Sequence, residues 1–119
     1  MIFKDVEIRY GNKKVLSEIN LTIKPGEFVF ITGASGGGKT SFIKAMIGEL
    51  PPSKWVILND QGDNIFTLSR RDLALYRRRI GVVFQDFKLL ETKNVSENVA
   101  FAMEVSGYSD RLITKRIPE

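Results

Sequence analysis

The chain contains no cysteine and no histidine. Without cysteine there is no disulfide, no thiolate nucleophile and no iron–sulfur ligand, so cysteine usage says nothing about redox compartment. Without histidine there is no Ser–His or Cys–His pair and no His-ligated zinc. The metal donors that remain are oxygens of Asp, Glu, Ser, Thr, Asn and Gln, which suit a hard ion such as Mg²⁺. Long apolar runs are missing too, since no stretch reaches the roughly 18 residues of a membrane span. The longest charge-free run, residues 28–38, is glycine-rich in its second half. The opening Met1-Ile2-Phe3-Lys4-Asp5 alternates and carries an acid, unlike a signal peptide. Repeats and low-complexity linkers are absent. These absences set the expectation of a chain in the cytosol or on the cytosolic side of something larger.

The rest suits one modest globular domain: 119 residues, 43% hydrophobic and 27% charged, with ten glycines and four prolines. The net charge of +4 is concentrated. Residues 69–79 hold five Arg against one Asp, which accounts for all of it. At helical spacing Arg70, Arg71, Ala74, Arg77 and Arg78 share one face, beside an apolar stripe of Leu73, Tyr76 and Ile80. The plain reading is a solvated face. An acidic protein or an anionic lipid surface comes next, and nucleic acid last, because no aromatic-interleaved groove accompanies the patch.

Ile2, Val6, Ile8 and Tyr10 alternate with polar neighbours, and so do Ile19, Leu21 and Ile23 beyond a Gly11-Asn12 turn. This predicts an antiparallel pair joined at Gly11-Asn12, with a type II turn at Pro25-Gly26 after its second strand. Residues 28–32 and 80–84 are apolar without alternation, which predicts two strands buried on both faces. Phe42, Ile43, Met46, Ile47 and Leu50 predict a helix running to Pro51-Pro52. Lys54 to Leu58 reads as a further strand. Ser69 with Asp72 makes a capping-box start for the Arg-rich helix. A helix is expected from near Asn94 to Gly107, and another from Arg111 behind a Ser109-Asp110 cap.

The string Gly33-Ala34-Ser35-Gly36-Gly37-Gly38-Lys39-Thr40 satisfies G-x-x-x-x-G-K-[ST], between an expected strand and an expected helix. Glycines let such a loop curl until its N–H groups point inward as an anion nest. The helix adds its positive end and unpaired donors. Gly33, Ser35, Gly36, Gly37 and Gly38 therefore line a phosphate cradle. Lys39 places a point charge on the β- and γ-phosphates, the Thr40 hydroxyl is a Mg²⁺ ligand, and Ser41 donates to the α-phosphate. The bland alternative is a flexible Gly-rich turn with an incidental lysine. The loop by itself selects neither base nor reaction.

With Tyr10 in Arg9-Tyr10-Gly11 and Gln85 in Val82-Val83-Phe84-Gln85-Asp86 placed in register around that loop, the chain resembles the nucleotide-binding subunit of ABC (ATP-binding cassette) ATPases along its whole length. The resemblance implies an α/β P-loop NTPase fold of the ABC type. This chain would supply the antiparallel β subdomain and the first part of the parallel-sheet core. It implies that Tyr10 stacks on adenine, and that Gln85 reaches Mg²⁺ and the attacking water while coupling the site to a membrane partner. Taken alone, Tyr10 also fits an ordinary strand-end aromatic and Gln85 an ordinary loop amide. Residues 76–90 and 94–102 look like the FtsE family of bacterial cell-division ATP-binding proteins. That likeness implies ATP and Mg²⁺ as ligands and an FtsX-like integral membrane partner. It further implies a homodimer through the nucleotide sites of the full-length protein, and a peripheral place on the cytoplasmic face of the inner membrane. Nucleic acid is not an expected partner. A lipoprotein- or macrolide-type exporter ATPase and, less favoured, a small P-loop kinase are the alternatives.

The family's signature motif, its Asp-Glu-ending Walker B strand, its switch histidine and most of its helical subdomain have no counterpart here. Residues 1–119 are therefore expected to be the N-terminal portion of one ABC ATPase domain, from Walker A to Q-loop. Such a chain should bind ATP without hydrolysing it efficiently, and its core strands should expose edges and apolar faces.

Overall fold

The structure is a computed structural model that describes residues 1–117, with the side chains of residues 54 and 55 outside the description. It divides into two compact units, Met1–Ala74 and Leu75–Glu119.

The first unit is built on a three-stranded antiparallel sheet in the order β2-β1-β3, with β1 at Ile2–Tyr10, β2 at Lys13–Thr22 and β3 at Lys54–Leu58. The β1–β2 hairpin closes as expected: Tyr10 pairs with Lys13, and Gly11 takes φ 56 at the first central position of a two-residue turn. The second turn also forms, with Gly26 at φ 78 behind Pro25 and Glu27 N–H reaching the Lys24 carbonyl at 3.3 Å.

The simple alternation expected for β1 breaks near its start. Asp5 has φ 49, its N–H is held at 2.8 Å by the Asn20 side chain, and the register shifts between Phe3 and Val6. An extra residue turns the strand over, so Phe3 joins Val6 and Ile8 on the buried face. Phe3 then stacks on Phe42 of helix α1 (Lys39–Met46), ring centroids 4.8 Å apart. Phe3, Val6, Ile8, Phe42, Ala45, Ile57 and Ile65 make the core of this unit.

Helix α1 is shorter than predicted. Gly48, at φ 70, ends it well before Pro51. Gly48 N–H donates to Ala45 O at 3.0 Å and Glu49 N–H to Lys44 O at 2.8 Å, the two bonds of a Schellman cap. A Lys44–Glu49 ion pair at 3.2 Å spans the same turn. A side chain at residue 48 would also collide with Leu73, 2.8 Å from where its Cβ would lie.

Helix α2 (Arg70–Arg78) starts as the sequence predicts. Ser69 Oγ accepts from Asp72 N–H at 3.1 Å and donates to the Asp72 carboxylate at 2.6 Å. In the second unit α3 (Val95–Val105) begins with a full capping box between Asn94 and Glu97, and Gly107 at φ 88 follows its end. That geometry, first through the Asn94 N–H and then through Lys93, holds the Glu97 carboxyl below the usual carboxylate range. Asn98 binds the preceding segment to the helix: its side chain meets both polar groups of the Leu90 backbone and the carbonyls of Lys93 and Asn94. Helix α4 (Asp110–Arg116) lies behind Ser109, which caps it by position without a side-chain hydrogen bond.

The two strands expected to be buried on both faces differ most. Among the described residues neither 28–32 nor 80–84 is part of a sheet. Phe28 is 83% exposed, Phe30 80% and Val83 90%. A strand is held by hydrogen bonds to other strands, and apolar composition alone supplies none of them. The expectation that these segments expose apolar faces is met. Their expected burial is not.

Candidate functional site

The glycine-rich loop lies in the first unit, between residue 32 and α1. Gly36 and Gly38 have φ of 74 and 87, and Gly33 has φ 149, so three glycines occupy backbone conformations that side chains rarely adopt. Gly37 N–H donates to Ala34 O at 3.0 Å and draws the loop into a turn. Two positions leave no room for a side chain. A Cβ on Gly37 would lie 2.9 Å from Ala34 O, and one on Gly38 2.8 Å from Leu16 Cδ2.

The lysine folds back over this turn. Lys39 Nζ donates to Gly33 O and to Ala34 O, both at 2.8 Å, which places its charge at the mouth of the loop. Helix α1 starts at the same point. Its N-cap is Gly38, with no side-chain cap, and its first turn holds no acidic residue. The first backbone bond that closes the helix is Phe42 N–H to Gly38 O at 2.9 Å. The N–H groups of residues 38–41 therefore begin the helix without intrahelical partners. A turn curled by glycines, a helix start with no cap or acid, and a resident ammonium together make an anion site with the donor set of a phosphate cradle. This geometry fits the phosphates of a nucleotide.

Thr40 is exposed beside this mouth, whereas Ser41 is buried and 9% accessible. Ser41 Oγ donates to the Tyr10 hydroxyl at 3.4 Å, which brings the end of β1 to the start of α1. Tyr10 remains 50% exposed, with ring surface open to a ligand. The structure thus gathers Tyr10, residues 33–38, Lys39, Thr40 and Ser41 in one unit. Gln85 belongs to the other unit. It is exposed in the turn 85–88, where Phe87 and Lys88 take φ of 53 and 51.

Some contributors had no sequence signal. Ala34 acts only through its carbonyl, which accepts from both Lys39 and Gly37. Val15 and Leu16 close on Gly38 from β2. Glu7, in β1, is 7% exposed and was not singled out by alternation. Its carboxylate pairs with Arg9 at 2.6 Å and Lys14 at 3.1 Å, and those two hydrogen bonds, Arg9's first, lower it to about 2. Ser53 donates to both its backbone carbonyl and its carboxylate.

Comparison with known proteins places this geometry in a family. Residues 16–117 match the ABC transporter family. The chain is 48% identical over 117 residues to the cell division ATP-binding protein FtsE of Bacillus subtilis (strain 168), covering 98% of this chain and 51% of that protein. It is 42% identical to FtsE of Streptococcus pneumoniae serotype 2, covering 98% of this chain and 50% of that protein. It is also 39% identical to the methionine import ATP-binding protein MetN of Carboxydothermus hydrogenoformans, covering the whole chain and 36% of that protein. The chain thus spans about half the length of the FtsE relatives it matches. Among solved structures it resembles the ATP-binding cassette MJ0796, a dimer in a post-hydrolysis state bound to ADP and Pi. The TM-score is 0.84 at 30% identity, over 98% of this chain and 53% of that one. The match across most of the chain, the cassette-like backbone and the phosphate-loop geometry agree: the chain belongs to the ABC transporter family of ATP-binding cassettes.

Proposed function

We propose that this chain is the ATP-binding part of an FtsE-like ABC ATPase, which couples ATP binding and hydrolysis to an FtsX-like integral membrane partner in bacterial cell division and cell-wall remodelling. The observation that carries the nucleotide reading is the lysine at the mouth of the loop, Lys39 Nζ on Gly33 O and Ala34 O. An ammonium held by two neutral carbonyls is ready to exchange one or both for phosphate oxygens, which are the stronger, charge-assisted partners. In this reading the backbone of residues 33–38 wraps the phosphates and Lys39 neutralises the β- and γ-groups. Ser41 donates to the α-phosphate, and the exposed ring of Tyr10 takes the adenine face. The Thr40 hydroxyl would be a ligand for Mg²⁺, which spreads negative charge away from the transferring phosphoryl group.

The FtsE likeness supports the cell-division role, and the MetN likeness supports a second reading as an import ATPase. The identity to FtsE is the higher of the two, over nearly all of the chain. In either case the protein works as a peripheral subunit at the cytoplasmic face of the membrane. No helix of the described residues is long and apolar enough to cross a bilayer. Nucleotide-driven dimerisation belongs to the full-length protein. The 119-residue chain binds ATP but turns it over poorly, since the partner-supplied signature and the general base have no counterpart in its sequence.

A calorimetric titration with Mg-ATP, run beside Lys39→Ala, tests this. Loss of a charge-assisted contact of about 1.5–3 kcal/mol weakens binding by about 10- to 150-fold. Binding that is indifferent to the substitution, or robust Lys39-dependent turnover, would contradict the reading.

A further inference from the structure

We propose that the arginine face of α2 is a docking surface for an anionic lipid bilayer, with Arg70, Arg71 and Arg78 binding headgroup phosphates and Leu75 entering the interface between them. Arg71, Leu75 and Arg78 follow one another at i, i+4 and i+7, so they form one row on the helix. Arg70 and Ala74 form the neighbouring row, also leading to Arg78. All five residues are exposed, Leu75 to 46%, whereas Tyr76 on the opposite side is buried.

The needs of the helix do not explain this charge. Arg77 and Arg78 in the last turn suit the negative end of the helix. Arg70 and Arg71 stand in the first turn, where the helix dipole disfavours cations. No acidic residue stands three or four positions from Arg70, Arg71 or Arg78. The one acid of the helix, Asp72, is engaged by the Ser69 hydroxyl at 2.6 Å. A cationic face with no acid at helical spacing is complementary to a polyanion. Guanidinium groups add planar, two-pronged binding of phosphate oxygens.

Two features favour a bilayer over nucleic acid. The buried Tyr76 leaves this face with no aromatic side chain for base stacking. The exposed apolar residue set among the arginines is Leu75, which gains by entering a lipid interface and gains nothing from a sugar–phosphate backbone. The reading of the chain as a peripheral membrane subunit would put an anionic leaflet within reach. The surface itself rests on the helix.

Sedimentation of the 119-residue chain with vesicles tests the proposal, using phosphatidylcholine alone or mixed with phosphatidylglycerol. The neutral vesicles measure binding through apolar segments elsewhere, so the increment due to phosphatidylglycerol is the readout. That increment should fall with salt, and by about fivefold for each arginine replaced in Arg71→Gln and Arg78→Gln. Leu75→Gln should weaken vesicle binding and leave binding to duplex DNA unchanged. No phosphatidylglycerol increment, an increment that survives the double Arg substitution, vesicle binding insensitive to Leu75→Gln, or DNA binding tighter than vesicle binding would each overturn it. Mg-ATP titration of the same samples separates the two readings. ATP binding without a vesicle increment removes the lipid surface alone. An Arg-dependent increment without ATP binding upholds the surface and removes the nucleotide reading.

Discussion

Ser41 Oγ donates a long hydrogen bond, 3.4 Å, to the hydroxyl of Tyr10, a residue 31 positions earlier at the far end of β1. The bond connects the residue proposed to face the adenine with the first turn of α1. The ring and the loop are thus held in one unit by a contact that a ligand could tighten or replace.

Tyr10→Phe should retain Mg-ATP affinity within about threefold. The stacking face is kept, and a neutral hydrogen bond as long as 3.4 Å lies at the low end of the usual range, about 0.5 kcal/mol. Tyr10→Ala should lose about tenfold or more, the scale of one base–aromatic stack at about 1–3 kcal/mol. Inorganic pyrophosphate should bind both variants as it binds the parent. Equal loss of pyrophosphate affinity in Tyr10→Ala would mean that the tyrosine acts by shaping the loop instead.

Gly36→Ala and Gly38→Ala separate backbone strain from collision. Both glycines have positive φ, but a Cβ on Gly36 meets nothing within 4 Å, while one on Gly38 lies 2.8 Å from Leu16. The first substitution should cost about 1–2 kcal/mol of stability from left-handed strain alone. The second should cost more, about 2–4 kcal/mol, because overpacking adds to the strain. Urea unfolding of the two variants gives the comparison. Equal losses would show that Leu16 yields freely.

Glu7 sets an acid limit on the first unit. Its carboxyl lies at about 2 in the folded chain against 4.5 for an unperturbed group, so folding favours the ionised form. The contribution is complete above about 4.5 and is lost as pH falls towards 2. The urea midpoint should decline across that window. In Glu7→Gln the decline should be shallower, with a lower plateau near neutral pH. A parallel pH profile in the variant would exclude Glu7 as the source.

Phe28 and Phe30 stack edge to face, centroids 4.9 Å apart, and both are at least 80% exposed. Apolar segments outside a sheet promote association between copies. Light scattering should show species larger than a monomer, and Phe28→Lys with Phe30→Lys should reduce them. A monomer with cooperative unfolding in the parent chain would count against this.

Much of the site was legible in the residues because its chemistry is local. Gly33 to Ser41 are contiguous, and their donors, conformational freedom and charge follow from residue type and order. The Ser69–Asp72 cap was legible for the same reason, since it acts across three residues; the start of α3 near Asn94 was legible without its cap, and Ser109 caps α4 by position alone. The end of α1 at Gly48 was missed because apolar spacing continues through Leu50, while the chain conformation turns on the glycine's positive φ.

The sequence alone determined the glycine-rich loop, the β1–β2 hairpin, the helix starts and the cationic face of α2. All of these depend on neighbours a few positions apart. Tertiary structure decided that Asp5 would bulge and turn Phe3 onto Phe42, that Ser41 would meet Tyr10, and that Val15 and Leu16 would close on Gly38. It also decided that residues 28–32 and 80–84 would lie outside any described sheet. A helix satisfies its backbone within its own segment, whereas a strand is completed by residues distant in sequence. Composition can therefore propose a strand, but only the fold can supply its partners.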